Sequence, residues 1–176
     1  GFATGADYVV HIEDDVVLAR DALRFFEYAE QFGTDSTLCS VTAFSARRPS
    51  PSDYGTVVRR PWFCPWGWGT WRNRFEELDA QWGDNPWGAM AWDTRIANFT
   101  RRHRCELMPL LARAKNIGAL DGTYMTQDMW QEHFPSIPFA DHYPEPIPTW
   151  RYDPLDSRVT QGPFEIELET RDVPTA

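Results

Sequence analysis

A chain of 176 residues with 42% hydrophobic content, nine Trp and eleven Phe has enough apolar mass to build one ordinary domain around its own core, which excludes disorder by composition. Its formal charge of −9 argues against general affinity for nucleic acid or anionic membranes, since cationic surface drives both. No apolar run approaches the ~20 residues that cross a bilayer, no basic-then-apolar leader is read at the amino end, and Cys39, Cys64 and Cys105 lack any CxxC or Cys/His pairing, so they read as reduced thiols of a cytoplasmic protein.

The first element, Tyr8 to Ile12, is β-branched and aromatic, and it reads as a short, nearly all-apolar strand of the kind buried in a parallel sheet. Only about six residues precede it. A complete nucleotide-binding sheet needs two or three earlier strand–helix–strand units of about 30 residues each, so the expectation is the second half of a larger domain.

That strand runs into Glu13-Asp14-Asp15. Adjacent carboxylates repel by about 1 kcal/mol per pair even at water-like dielectric, so folding alone gives no reason for the triplet. Ligands of open α/β sheets collect beyond the carboxyl ends of strands. On extended backbone Glu13 and Asp15 point to one side and Asp14 to the other. Carboxylate oxygens suit hard divalent ions, and Mg2+ is usually held by one or two carboxylates together with substrate phosphate oxygens. The triplet reads as a metal-diphosphate site; a solvated acidic turn capping the next helix is the plainer alternative.

Downstream, Ala22, Phe25, Phe26, Ala29 and Phe32 recur at helical spacing, predicting a helix from Asp21 to Phe32 closed by Gly33. Leu38 to Phe44 is the next strand, parallel to the first through a right-handed crossover. Ser45 to Arg60, rich in Ser, Pro and Arg, reads as a mobile loop. Its pairs Arg47-Arg48 and Arg59-Arg60 are the sole hint of a nucleic-acid substrate, and the net charge opposes it. Seven of the nine tryptophans then fall between Trp62 and Trp92. In Trp66-Gly67-Trp68-Gly69-Thr70-Trp71, glycines alternate with indoles, which lets the backbone bend around something flat, such as a sugar ring. Core packing competes with that reading. Trp71, Phe75, Leu78 and Trp82 match the buried stripe of a helix, whereas Trp66 and Trp68 stay divided between pocket and core.

A second amphipathic helix is predicted from Trp92, Ile96 and Phe99, with Asp93 in its first turn, where a cap or the helix dipole accounts for it. Arg101-Arg102-His103-Arg104 reads as a solvated basic end. Cys105 to Ala112 is a further strand interrupted by Pro109, and Lys115 to Thr123 a glycine-punctuated loop. Eight of the fourteen prolines lie from Pro135 onward. The organisation is therefore a half-domain over 1–133 and an extended tail over 134–176 that wraps the surface.

Taken in order, the strand-Glu13-Asp14-Asp15 unit, Trp66-Gly67-Trp68-Gly69-Thr70-Trp71, Trp92-Asp93 and Asn116-Ile117-Gly118 resemble the catalytic half of GT-A glycosyltransferases. The bacterial and phage family 2-like enzymes and the N-acetylglucosaminyltransferase I group are the closest variants, over about Ala6 to Thr126. The resemblance implies an α/β, GT-A-like mixed sheet flanked by helices and lacking its N-terminal βαβ units. It also implies metal-dependent, inverting transfer of a sugar from a nucleotide-diphosphate sugar to a hydroxyl of an acceptor glycan, lipid or small molecule. Asp15, with Asp14, would then ligate Mn2+ or Mg2+; Glu13 and Asp14 would contact donor ribose or sugar; Asp93 would be the catalytic base. Trp66, Gly67 and Trp68 would shape the donor-sugar and acceptor pocket. Many members add a histidine ligand, for which His133 and His142 both stand open, and the uridine-recognising strands would belong to a missing N-terminal half. A non-catalytic carbohydrate-binding or assembly module that keeps the tryptophan surface is the alternative.

Overall fold

A computed structural model describes residues 1–82, 92–97, 103–118, 127–142 and 149–154. The chain runs through β1 (Tyr8–His11), β2 (Val16–Leu18), α1 (Ala22–Glu30), β3 (Leu38–Thr42), β4 (Thr56–Arg60), β5 (Trp68–Trp71), α2 (Arg72–Trp82), α3 (Trp92–Arg95), β6 (Cys105–Pro109), β7 (Ala114–Asn116), α4 (Gln127–His133) and β8 (Arg151–Asp153). Six strands form one sheet in the order β1-β5-β3-β6-β4-β8, and β2 pairs with β7 in a separate ribbon. Within the large sheet β3–β6 and β4–β8 are parallel and the other neighbours antiparallel. The fold is mixed α/β, a mixed sheet flanked by helices.

The strand–helix–strand unit at the start is present, and β1 and β3 do share a sheet and a direction. They are not neighbours, however, because β5 lies between them and is antiparallel to both. The expectation of a strand buried inside a parallel sheet is corrected accordingly: β1 is the outermost strand among the described residues and only half-buried. Its apolar run reflects packing on its faces, not strands on both sides.

Helix α1 turns Ala22, Phe25, Phe26 and Ala29 inward, each aromatic gaining about 1.5–3 kcal/mol from leaving water. It stops at Glu30 and tightens into a 3-10 turn over Gln31–Thr34, so Gly33 is no C-cap; a Cβ there would meet the Trp71 ring at 2.7 Å. Strand β3 is buried along its whole length, and its Leu38 and Val41 join Phe44, Val57, Leu107 and Phe134 in the main core.

The end of the expected Ser45–Arg60 loop is strand β4, whose Thr56, Val57 and Val58 are buried. The two arginines that suggested solvent are used inside. Arg59 donates to Asp35 at 2.7 Å and to the Tyr152 hydroxyl, while Arg60 meets Glu106 at 2.9 and 2.7 Å. Of the proline-rich tail, residues 134–142 and 149–154 lie among the described residues; they include a 3-10 turn over Ala140–His142, and through β8 they add a strand to the edge of the sheet beside β4.

Candidate functional site

The acidic triplet follows β1 directly, at the strand's carboxyl end. Its backbone is not extended: the Val16 N–H donates to the Glu13 carbonyl at 3.2 Å, closing a turn over 13–16. That turn takes the chain out of the large sheet and into β2, so the alternation expected for Glu13, Asp14 and Asp15 does not apply. Glu13 and Asp15 are half-buried and Asp14 is exposed.

Asp15 is gripped by the segment that follows β7. Its carbonyl accepts the Ile117 N–H at 2.7 Å, and its Oδ2 accepts Asn116 Nδ2 at 3.0 Å. Asn116, 4% exposed, returns its Oδ1 to the Gly118 N–H at 2.9 Å and its carbonyl to the Trp130 indole at 3.1 Å. A Cβ on Gly118 would overlap Asp15 Oδ2, so glycine is required for the close approach. The carboxylate is thereby fixed through Oδ2, and among the described residues Oδ1 accepts no hydrogen bond. Residues 115–118, expected as the start of a loop, are instead the end of β7 and a cradle for Asp15; 119–123 lie outside the described residues. The β2–β7 pairing, Val16 opposite Asn116, sets the register.

Helix α3 brings Asp93 to the same place. Trp92 stacks on Trp68 with centroids 5.9 Å apart and meets the His11 ring edge-on at 5.8 Å, which seats the helix on the end of β1. Asp93 Oδ1 accepts the Thr94 N–H at 2.6 Å, the local use that a residue in a first turn suggests. Its charge also reaches the triplet. Burial pushes the Glu13 carboxyl up, and the charges of Asp15, Asp93 and Asp14, in that order, push it further. Four carboxylates from two separate elements thus share one neighbourhood. Of the predicted face, Ile96 is buried and Phe99 lies outside the described residues.

The tryptophan segment divides. Trp66 packs edge-on against Phe44 and Phe134 at 4.8 and 5.0 Å, partly buried on the main core. Gly67 has φ +64°, a left-handed turn between the indoles where any side chain is strained. Trp68, facing the other way, lines a cavity with His11, Trp92 and residues of α2. Trp71 is no part of a helix stripe: it ends β5, 4% exposed, with its indole donating to the Glu30 carbonyl at 2.9 Å. Phe75 is correspondingly 38% exposed, Leu78 is buried, and the side chain of Trp82 lies outside the described residues.

What sequence reasoning missed is a buried anchor for this segment. Glu106 Oε2 accepts the Cys64 N–H at 3.1 Å besides both Arg60 bonds, and Oε1 accepts Ser40 Oγ at 3.0 Å. Two arginines next to a valine run and a lone Glu in an apolar strand were the available signal.

Of the two histidines held open as ligands, His142 is exposed with its ring edge-on to Phe139, and the side chain of His133 lies outside the described residues. Arg104 pairs with Glu77 at 2.6 Å, and Arg101 and Arg102 lie outside the described residues. Cys39, Cys64 and Cys105 form no disulfide. Among the described residues no three His, Cys, Asp or Glu side chains converge closely enough to cage a metal unaided, and no helix is long and apolar enough to cross a membrane. Compared with known proteins, the chain matches no protein-family model and no curated sequence.

Proposed function

We propose that this chain carries the catalytic half of a GT-A-like, metal-dependent glycosyltransferase that moves a sugar from a nucleotide-diphosphate donor to an acceptor hydroxyl. The observation that carries the reading is the convergence of Glu13, Asp14 and Asp15 with Asp93 at the end of β1, where burial first, and then the three neighbouring charges, raise the Glu13 carboxyl. Clustered anions at a strand end are costly unless a bound cation or a proton transfer makes use of them.

The donor set fits a hard divalent ion, Mn2+ or Mg2+. Asp15 offers one carboxylate oxygen while Asn116 fixes the other, and such ions take one or two carboxylates with the remaining positions left to phosphate and water. When bound, the ion would supply Lewis-acid neutralisation of the departing diphosphate. Asp93, on its own helix, has the complementary role and takes the proton of the acceptor hydroxyl as that oxygen bonds to the sugar carbon and the bond to diphosphate breaks. A metal carboxylate and a separate base suffice for one displacement with inversion. The outer edge of β1 has no strand beside it among the described residues, which is where the nucleotide-binding strands of a complete domain would pair.

Calorimetry with Mn2+ and uridine, guanosine and thymidine diphosphates tests the reading. Heat of nucleotide binding is expected only with Mn2+ present, lost in Asp15→Asn and kept in Asp93→Asn. Binding indifferent to a chelator, or untouched by Asp15→Asn, would overturn it.

A further inference from the structure

The helix that carries Asp93 has four residues, Trp92–Arg95, and a helix shorter than about 12 residues does not hold itself together in water. Its place is set from outside. The Trp92 ring belongs to a three-ring cluster with His11 and Trp68, whose centroids lie 5.8, 5.9 and 6.2 Å apart, so that each ring touches the other two. His11 and Trp68 are cross-strand partners in the β1–β5 pairing, which fixes two corners of this triangle to the sheet. Phe63 adds edge-on contacts to Trp68 and Trp92 at 5.1 and 6.1 Å. Of the three rings around Trp92, only His11 stands on the strand that runs into the acids. Charge acts against this seat, because Glu13, Asp14 and Asp15 share one neighbourhood with Asp93. One carboxylate pair at water-like dielectric shifts an equilibrium by about fivefold. One aromatic pair shifts it by about two- to tenfold, so a single ring can tip the balance.

We infer that His11 is a positioning residue whose imidazole, through Trp92, sets the separation between Asp93 and Asp15; the use of that separation in transfer rests on the glycosyl-transfer reading, whereas its setting by His11 does not. The covalent paths on both sides of the ring contact are short. Asp15 lies four residues after His11, beyond a turn closed by the Val16 N–H on the Glu13 carbonyl and held by Asn116 and Ile117. Asp93 directly follows Trp92, with its Oδ1 tied to the Thr94 N–H. The His11–Trp92 contact thus joins the two carboxylates by a link in which little is free to turn. A base has to stand within hydrogen-bonding reach of the hydroxyl while the ion stands at the departing diphosphate, so one displacement depends on the distance between them. The contacts of His11 with Trp68 and Trp92 are ring contacts, which phenylalanine reproduces.

The test is paramagnetic broadening in NMR spectra of the full chain with Mn2+ and inorganic pyrophosphate. Two amides are read. The Ile117 N–H, which donates to the Asp15 carbonyl, reports occupancy by Mn2+, and the Thr94 N–H, which donates to Asp93, reports the separation. In His11→Ala, at an exposed position, broadening at Thr94 is expected to fall relative to that at Ile117 while the circular dichroism stays unchanged. Hydrogen exchange of the Arg95 and Ile96 amides should quicken about two- to tenfold in the same variant. His11→Phe should keep both quantities at wild-type values, a rescue that a general loss of stability does not show. Either quantity unchanged in His11→Ala, or a phenylalanine variant as impaired as the alanine one, would overturn the inference. A wild-type protein in which Mn2+ broadens neither amide would refute the transfer reading alone. Exchange then decides the role of His11, faster in His11→Ala and not in His11→Phe if the inference holds, and alike in both if it fails.

Discussion

Glu106 is the residue on which the tryptophan segment is hung, and its loss separates two physical effects that usually travel together. Its side chain is 2% exposed and that of Arg60 3%. In Glu106→Ala the guanidinium is left buried without its counter-ion, and the Cys64 N–H and Ser40 hydroxyl lose their acceptor, so a destabilisation of about 3–5 kcal/mol is expected. Glu106→Gln behaves differently. An amide oxygen in the place of Oε2 still accepts from Arg60 and Cys64 and the amide N–H2 meets a Ser40 hydroxyl that turns to accept, so the hydrogen bonds survive, only the countercharge of Arg60 is lost, and the variant is damaged less than the alanine one. The charge itself is read through pH. Burial pushes the Glu106 carboxyl from 4.5 up to about 7, against the pull of Arg60 and the other donors. A carboxyl raised in the fold binds its proton more tightly there than in the unfolded chain. Its contribution is therefore fully present below about pH 4.5 and is lost as pH rises through 7. The interval from 4.5 to about 7 corresponds to about 3 kcal/mol, at roughly 1.4 kcal/mol for each pH unit. Urea unfolding of the wild type and both variants at pH 5 and pH 8 measures this, because the wild type minus Glu106→Gln difference isolates the one carboxyl. The reasoning fails if the glutamine variant is as damaged as the alanine one, or if the wild type gains on it between pH 5 and pH 8.

Asn116→Ala removes the donor to Asp15 Oδ2 and the acceptor for Gly118, and Mn2+ affinity measured calorimetrically with a nucleoside diphosphate should fall about 10–100-fold; an unchanged affinity would mean that Asp15 orients itself. Gly118→Ala forces a methyl into that carboxylate and should lower stability by about 1–3 kcal/mol in urea unfolding. Gly67→Ala meets both a left-handed φ of +64° and the Ala114 Cβ at 3.2 Å, so a loss of about 1–2 kcal/mol is expected by thermal unfolding, and stabilisation would show the turn to be free to move.

The elements with a strong period were legible in the sequence. Tyr8–His11 and Leu38–Thr42 read as strands and the Ala22–Glu30 helix read from its apolar face, because local pattern and burial agree there. The failures share a cause. Arg59 and Arg60 read as loop because charge signals solvent, yet their ion partners Asp35 and Glu106 come from distant parts of the chain that one-dimensional pattern cannot pair with them. Trp71 read as helix because its i+4 and i+7 positions are apolar, and tertiary pairing with β1 made it strand. At the site, the acids and Asp93 were named from type and order. The contacts that bring Asp93 onto the end of β1, and the Asn116 clamp on Asp15, depend on a ribbon of three-residue strands too short to announce itself.

The central claim is that Asp15 holds a divalent ion together with a diphosphate. Crystals grown with Mn2+ and inorganic pyrophosphate, measured at the manganese absorption edge, address it directly. An anomalous peak within coordination distance of Asp15 and touching pyrophosphate oxygen is the predicted result, and a turn at 13–16 surrounded by water alone, with manganese elsewhere or nowhere, would contradict it.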